Sequence, residues 1–467
     1  MLSLDRVCDK IASMRKSSIY FLLGLIFFWC PHQSFATEKL YNIAPSLTPD
    51  TQREMKTAGF WIARHPAPDQ LILNQDEITQ FNRSIQDQLK LTKDITQFTS
   101  TNGKQLKAEL EKTWKDIVAK NYYGGDGHEP KVSFYQEVKM KMNLQAIEEK
   151  IVPSFGMIVH YANQRFFPTD RILTSEANDI DFDELQNSTL DVATPVVILH
   201  QSTDGLWCYV QSSQSFGWVK KENIAIGTLE EIKNFISSPE FVIATAPKAD
   251  IFLNDQRIQH YDYVRMGVKL PLLEKDNVKV QVQIPLRQDD GSLMIKTGYM
   301  NLEDVHEGYL PYTPRNIIKQ AFLLLNAPYG WGGMYGEQDC SAFLQEIFGT
   351  VGILLPRDSK DQAQVGYPLA SFDKTDKEEK RLAALKNAVG GITILPLKGH
   401  IMLFLGMLDD RPFAIHETWG YRERKSSADV VRVLNRVVVS DLYLGAGSKK
   451  GSLLDRMLAI KAITKEQ

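Results

Sequence analysis

The sequence predicts a multi-domain protein: a helical N-terminal domain, two small antiparallel β-barrels and a C-terminal α+β domain. The length of 467 residues exceeds one ordinary domain, and 43% hydrophobic residues suffice for several cores. Near Pro153, apolar residues change from a spacing of three to four to short alternating runs, and near Pro314 helical spacing returns. The expected segments are a leader at 1–36 and domains at 37–155, 156–235, 236–308 and 309–467.

The leader has the order of a secretory signal peptide. Arg15 and Lys16 precede an apolar run at 19–29, and the small residues Ser34 and Ala36 mark a cleavage site. The run is short for a bilayer span. We therefore expect export to the periplasm, the cell wall or the medium, with no stable membrane span once the leader is removed. The alternative is an uncleaved anchor.

The helical domain at 37–155 shows no catalytic spacing. Helices are expected at 78–92, 103–120 and 134–151, where apolar residues recur every three to four positions with charges between them. The simplest interpretation is a scaffold or cap.

The next two domains are expected to be barrels of short strands. In the first, polar turns separate β-type runs at 157–161, 195–199, 207–210 and 217–219. Its run from Trp207 to Ala225 resembles the bacterial SH3 signature. In the second, residues 278–284 alternate strictly, as in a half-buried strand. The two SH3-like stretches form a weak internal repeat.

The C-terminal domain begins with a helix and continues with strands, which is typical of α+β folds. Thr313 is placed to cap a helix that has Pro314 at its first position. A glycine-rich loop follows, and a second helix begins near Cys340. Strands are expected at 391–395, 401–407 and 412–417.

Cys340 lies where a nucleophile would be activated. Asp339 is a good N-cap, and the apolar residues after Cys340 share one helical face that ends near Gly352. The helix dipole and the free N–H groups of a first turn favour a thiolate, which is the reactive form. The same N–H groups would hold an oxyanion. The alternative is a small buried cysteine in a core helix.

Two histidines lie where they would serve such a cysteine. His400 begins an apolar strand, and His416 ends the strand that returns after a turn, so a tight hairpin makes them neighbours. His400 would take the thiol proton, and His416 would fix its ring and tautomer. Glu417 is a second choice for the third role, although strand alternation points it the other way. Each histidine taken alone would more often be a satisfied surface or core residue than a catalytic one.

Four sequence blocks resemble the NlpC/P60 family of cysteine peptidases. They are residues 328–333, 339–343, 352–359 followed by Gln362, and 399–406. With the two SH3-like stretches, the chain resembles the γ-D-glutamyl-diamino-acid endopeptidase branch. The resemblance implies a papain-like α+β catalytic fold. It also implies cleavage between D-Glu and meso-diaminopimelate or L-lysine in peptidoglycan stem peptides or murein fragments.

The resemblance also implies roles for individual residues. Cys340 corresponds to the nucleophile, His400 to the base and His416 to the orienting residue. In this branch the first SH3-like domain supplies an acidic and an aromatic residue to the L-Ala end of the substrate. The implied substrate-binding residues are Tyr329, Asp339, Ser341 and Ser359, with Asp183, Glu184 and Phe216 as the SH3-like candidates.

Asp339 is expected to meet the free amine of L-Ala, although a plain helix cap is the alternative. The sequence departs from the family pattern at Ala342, where glycine is usual, and at 394–397, where Gly-Asp-Leu is usual. These departures affect the expected pocket width and loop geometry, and leave the catalytic assignment unchanged.

Other chemistries have little support in the sequence. No metal-binding motif or phosphate loop is present, so no cofactor is expected. A net charge of -3 without a basic stripe argues against nucleic acid. Cys208 alternates with Trp207 and Tyr209 in a strand and is expected to be a core residue that forms no disulfide with Cys340. Two other functions stay open: a non-catalytic wall-binding protein that uses its SH3-like pair, and an acyltransferase with the same Cys-His site.

Overall fold

The computed structural model describes residues 42–43, 48–426 and 428–465, and from Tyr41 onward the chain forms one compact unit. The expected signal peptide at 1–36 lies outside the described residues. None of the described helices is long and apolar enough to cross a membrane. The α-helices are Ala58–Ile62, Gln75–Arg83, Gly103–Val118, Val132–Lys141, Leu229–Ile236, Pro314–Leu323, Cys340–Gly349, Ser359–Gln362, Glu378–Leu385 and Leu453–Arg456.

The N-terminal helices form, but they pack into two different cores. Trp61, Ile78 and Phe81 join the apolar cluster of the C-terminal domain, where Phe343 and Ile347 also lie. The later helices, through residues such as Leu106 and Phe134, instead join a cluster with Phe167 and Trp218 of the first sheet. A separate helical domain at 37–155 is therefore not confirmed, because helical periodicity shows which face is buried but not what covers it.

Two seven-stranded antiparallel sheets lie where the barrels are expected. Apolar residues of both, among them Met157, Val197, Val242 and Ile251, share one cluster. In spatial order, the first sheet consists of Ile224–Gly227, Ser154–Ile158, Pro195–Gln201, Trp207–Gln211, Phe216–Lys220, Ala162–Arg165 and Gln186–Leu190. The second consists of His260–Arg265, Lys248–Phe252, Leu293–Asn301, Lys279–Arg287, Lys269–Lys275, Phe241–Ala244 and Val305–Glu307.

The C-terminal domain packs the helix Cys340–Gly349 on a third seven-stranded sheet. The expected helix is present as Pro314–Leu323, and the Thr313 side chain accepts from the N–H of Asn316 at 3.2 Å. In spatial order the strands are Asn42–Ile43, Ala428–Asp441, Arg411–Lys425, His400–Leu408, Thr393–Leu397, Ala459–Ala462 and Tyr367–Ser371. Two short antiparallel pairs complete the strands: Thr101–Asn102 with Lys150–Ile151, and Tyr123–Gly124 with Leu173–Thr174.

A buried ionic group joins all three sheet-containing parts of the chain. Arg265, at the end of a strand of the second sheet, donates to both carboxylate oxygens of Asp191, which follows the strand Gln186–Leu190 of the first sheet. Nη1 of Arg265 lies 3.5 Å from the carboxylate of Glu346 on the helix Cys340–Gly349. Asp191 already balances the charge of Arg265, so Glu346 is a second buried acid beside one cation. Burial raises the pKa of Glu346 to about 8, although the charge of Arg265 opposes this.

Candidate active site

Asp339 fixes the start of the helix Cys340–Gly349, which we call the cysteine helix. Its Oδ1 accepts from the N–H of Ser341 at 3.1 Å and of Ala342 at 2.9 Å, so Cys340 is the first helical residue, as the sequence predicts. The Cys340 side chain is 8% exposed. The Asp339 side chain occupies the N–H groups of Ser341 and Ala342, and the Asp339 carbonyl that of Phe343. Among the described residues, the N–H of Cys340 is thus the donor of this turn that is left for a substrate.

The burial of Cys340 favours its neutral thiol, whereas its position at the helix start favours the thiolate. Burial raises its pKa to about 12, and the negative charge of Asp339 adds to this effect. A hydrogen bond from the backbone of Ile401 and the charge of Arg357 act in the opposite direction. Desolvation therefore outweighs the helix dipole, whose effect is of the order of 1 kcal/mol.

The contact with Ile401 brings Cys340 to the start of the histidine strand, since His400 is the preceding residue. His400 Nε2 lies 2.9 Å from His416 Nδ1, and His416 Nε2 lies 3.0 Å from the Ser440 hydroxyl. The remaining nitrogen of His400, Nδ1, is thus the one available to the thiol. Ser440, on the next strand, is the third polar group of this chain. It is the one member that the sequence did not reveal.

Both imidazoles are uncharged at rest. Burial lowers the pKa of His416 to about 3. Burial also lowers the pKa of His400, and electrostatic interactions with His416, Arg456 and Lys450 lower it further. The resting site is therefore a neutral thiol beside a neutral imidazole, and the proton moves only when a substrate stabilises the resulting charges.

A bidentate ion pair holds Asp339 in place. Arg357 donates to Asp339 Oδ2 at 2.7 Å and to Oδ1 at 3.1 Å, and also to the Ser341 hydroxyl at 2.9 Å. Its Nε donates to the Ser188 hydroxyl of the first sheet at 2.8 Å. Although burial opposes ionisation, Arg357 keeps the pKa of Asp339 below its ordinary value. Asp339 is therefore a charged helix cap that already has a cationic partner.

The other residues carried over from the family motifs lie around this centre. Tyr329 lies near the nucleophile. Burial raises its pKa well above the ordinary value, and electrostatic interaction with Cys340 and Asp339 raises it further. Ser341 donates its hydroxyl hydrogen to Asp339 at 2.8 Å. Ser359 begins the short helix Ser359–Gln362, and Gln362 donates to the carbonyl of Ser341 at 2.9 Å.

Phe182 and Asp181 connect the first sheet domain to the site. The Phe182 ring centroid lies 5.3 Å from those of Trp331 and Trp419 and 6.2 Å from that of Tyr329. The indole N–H of Trp419 points to Asp181 Oδ2 at 3.5 Å. Asp181 and Phe182 were absent from the sequence-based candidates, because chain spacing does not show which loop residue faces another domain.

The three SH3-like candidates from the sequence have other surroundings. Asp183 is fully buried, lies 2.7 Å from Arg165 and accepts from the N–H groups of Leu173 and Leu185. Glu184 is half-buried; burial raises its pKa, and the charge of Lys120 opposes that shift. Phe216 is exposed and lies 6.4 Å from Tyr209, centroid to centroid. None of these contacts involves Cys340, His400 or His416.

Glu417 is a buried acid beside the nucleophile. It is 0% exposed, and neither carboxylate oxygen has a hydrogen-bond partner among the described residues. Burial and the charge of Asp339 raise its pKa well above the ordinary value, and its own charge contributes to the raised pKa of Cys340. Burial without a partner therefore favours the protonated form of this carboxyl group. The orienting contact to His400 comes from His416 instead.

The two cysteines are separate buried thiols, and burial raises the pKa of Cys208 to about 11. Within residues 48–426 and 428–465, no three His, Cys, Asp or Glu side chains are grouped so that they could hold a metal ion.

Comparisons with known proteins match two of the expected domains. Residues 326–410 match the NlpC/P60 family, and residues 171–220 match the SH3 domain of SH3b1 type. A solved structure described as a novel NlpC/P60 endopeptidase, from Photobacterium damselae subsp. piscicida, superposes with a TM-score of 0.72 at 21% identity. The superposition covers 91% of this chain and 99% of that one, which shows a shared fold.

Two curated relatives share part of the sequence. A Gamma-D-glutamyl-L-lysine dipeptidyl-peptidase of Bacillus cereus is 30% identical over 159 residues, which are 32% of this chain and 44% of the relative. An enzyme of the same name from Bacillus subtilis is 44% identical over 55 residues, 12% of this chain and 19% of the relative. The chain thus spans less than half the length of these curated relatives.

Proposed function

Because the chain carries an NlpC/P60 domain preceded by an SH3 domain, we propose that it is a cysteine endopeptidase acting on peptidoglycan. The bond cleaved is that between γ-D-Glu and the diamino acid of a stem peptide, in wall or in murein fragments. One observation carries the proposal: the Cys340 thiol contacts the backbone of Ile401, beside an imidazole aligned by His416 and Ser440.

The chemistry is acyl transfer through a thioester. As the sulfur of Cys340 attacks the γ-carbonyl carbon of D-Glu, its proton passes to Nδ1 of His400. The N–H of Cys340 stabilises the oxyanion of the tetrahedral intermediate. His400 then returns the proton to the amine of the diamino acid, which leaves. Water, deprotonated by His400, hydrolyses the thioester and regenerates the thiol.

The amino end of the substrate lies toward the first sheet domain. Arg357 already neutralises Asp339, so an ammonium group at this end needs a further acid. Asp181 is exposed and adjoins Phe182, whose ring faces Tyr329. We therefore assign recognition of a free L-Ala amine to Asp181 together with Asp339, since an ammonium group buried without a partner is strongly unfavourable.

A digest of synthetic L-Ala-γ-D-Glu-meso-diaminopimelate tests the proposal. The wild-type protein is expected to release L-Ala-D-Glu, whereas Cys340→Ala releases none, because it has no nucleophile. Equal release by both proteins would exclude this mechanism. Binding to purified wall without release by either protein would favour a wall-binding protein. Formation of an amide with an added amine, in place of the free acid, would identify an acyltransferase.

We further propose that the protein works outside the cytoplasm, in the periplasm or at the cell wall. The proposal rests on the signal-peptide pattern at 1–36. Cell fractionation tests it: a mature N-terminus after Ala36 in the exported fraction is expected, and retention of the whole chain in the cytoplasm would refute it.

A further inference from the structure

Three cationic side chains gather beside His400, outside the catalytic residues described above. They are Arg422 on the strand Arg411–Lys425, Lys450 in the loop after the strand Ala428–Asp441, and Arg456 at the end of the helix Leu453–Arg456. We call them the cationic cluster. Arg456 is half-buried, and the other two are exposed. The loop that carries Lys450 packs at Gly445 against the backbone of Arg422 and leads into the helix of Arg456. In keeping with this, burial and then the charges of Arg456 and Arg422 lower the pKa of Lys450.

Strand pairing places the backbone next to Arg456 close to the active site. Leu397 pairs with His400 on one side and with Met457 on the other. Adjacent strands lie about 4.8 Å apart, so the backbone of Met457, next to Arg456, is about 10 Å from that of His400. Leu458 donates to the carbonyl of Pro396 at 2.8 Å and holds this geometry.

The loop that carries Lys450 is held as well. The N–H of Lys449 donates to Asp429 Oδ2 at 2.8 Å, and Gly445 packs against the backbone of Arg422. The fold therefore holds the backbone at Lys450 beside the strand that carries Arg422.

The cluster has no acidic counterpart of its own. Among the described residues, no carboxylate forms an ion pair with Arg422, Lys450 or Arg456. Asp455, next to Arg456 in the chain, accepts instead from the N–H and hydroxyl of Ser452, at 2.9 and 2.7 Å. Glu423, next to Arg422, pairs with Arg432. Three cations gathered without an acid repel one another, and a bound anion would relieve that repulsion.

We propose that the cationic cluster binds the carboxylate groups of the leaving diamino acid and so selects meso-diaminopimelate over L-lysine. This inference rests on the proposed function. His400 must reach the leaving nitrogen to protonate it, so the leaving group lies on the side of His400, whereas the acyl part lies toward Tyr329 and Phe182. Diaminopimelate carries a carboxylate at the end of its side chain, where lysine has none.

Binding of this anion would also favour catalysis. Without a bound carboxylate, the cluster lowers the pKa of His400 through the charges of Arg456 and Lys450. A carboxylate between these residues and the ring offsets those charges and raises that pKa, so the imidazolium forms more readily when the thiol is deprotonated. The correct leaving group thus assists its own departure.

Four peptides distinguish the possible sources of the carboxylate. They share L-Ala-γ-D-Glu and end in meso-diaminopimelate, its side-chain amide, L-lysine or L-lysine amide. For the wild-type protein we expect kcat/KM to fall about tenfold when the side-chain carboxylate is amidated or absent, as is typical for loss of a charged hydrogen bond. If the terminal carboxylate is the one bound, the fall appears between L-lysine and its amide.

The double variant Arg456→Gln/Lys450→Gln is expected to cut all four peptides at nearly the same rate. Arg456→Lys, which keeps the charge, retains most of the preference, and Lys374→Gln, which removes an exposed charge elsewhere, retains all of it. The inference is overturned if the double variant keeps the wild-type preference, or if the wild-type protein shows none. If the wild-type protein cuts none of the peptides, the proposed function fails and this inference fails with it.

Discussion

At the scale of single residues, the site depends on groups that orient the rings of His400 and His416. Ser440 is the outermost of these: its hydroxyl contacts Nε2 of His416, whose Nδ1 faces His400. It is a positioning residue, since it acts through another side chain. Its contribution should appear in the chemical step and not in substrate binding.

Ser440→Ala is expected to lower kcat about two- to tenfold with little change in KM, because one buried hydrogen bond that orients the base is lost. Steady-state kinetics on the stem tripeptide measure this split. Ser440→Thr keeps the hydroxyl and should restore most of the rate. A rise in KM alone, or the same loss in both variants, would contradict the positioning role.

The sequence revealed some of these residues and not others, for a physical reason. The position of Cys340 follows from a local cap and helix pattern, and the proximity of His400 to His416 follows from one hairpin. Ser440 and Arg357 act across elements far apart in the chain, and strand or helix periodicity contains no information on such contacts. The sequence also did not reveal how strongly burial disfavours the thiolate of Cys340, since desolvation depends on the packed surroundings.

At the scale of elements, the glycine-rich loop Trp331–Gly336 joins the cysteine helix to the first sheet. Gly333 has φ +88°, and a Cβ there would lie 2.2 Å from Thr189 Oγ1. The carbonyl of Gly333 accepts from the Tyr161 hydroxyl at 2.6 Å. The loop therefore needs glycine both for its conformation and for close contact with the strand Gln186–Leu190.

Gly333→Ala is expected to destabilise the protein by more than about 2 kcal/mol, through left-handed strain plus the clash with Thr189. Its KM should also rise, because Trp331 shifts away from Phe182. Gly308→Ala is the matched control: its φ is +68°, with nothing within 4 Å of an added Cβ. Urea unfolding and kinetics compare the two, and equal losses would show that strain alone matters.

At the scale of the whole molecule, Arg265, Asp191 and Glu346 link the first and second sheets to the cysteine helix. Glu346 keeps its proton in the folded protein up to about pH 8 but loses it near pH 4.5 when unfolded. Unfolding between these values releases a proton, so rising pH favours the unfolded state. Glu346 therefore makes the assembly less stable as pH increases through this range.

Glu346→Gln should remove this dependence. Relative to wild type, the variant gains stability between pH 5 and pH 8, by an amount on the order of 1 kcal/mol per pH unit at most. Urea unfolding at pH 5, 6.5 and 8 measures the difference. Glu307→Gln, at an exposed acid paired with Lys275, serves as control and should leave the pH profile unchanged. A wild-type profile that matches that of Glu346→Gln would refute the buried-acid account.

The overall architecture was predictable only in part. Strand alternation and the Thr313 cap indicated the β-rich regions and the start of the C-terminal domain, because those signals are local. Helical periodicity did not reveal that Trp61 belongs to the core around Phe343 while Leu106 belongs to that around Trp218. Which helix covers which sheet depends on long-range packing.

The aromatic contacts at Phe182 give the molecule an intrinsic optical reporter. Trp331 and Trp419, two of the seven tryptophans of the chain, both touch this ring, and both indole N–H groups point to the loop at 181–183. A peptide that enters here changes the polarity around both indoles. Emission from an inactive Cys340→Ala protein should therefore shift during titration with substrate, without any label.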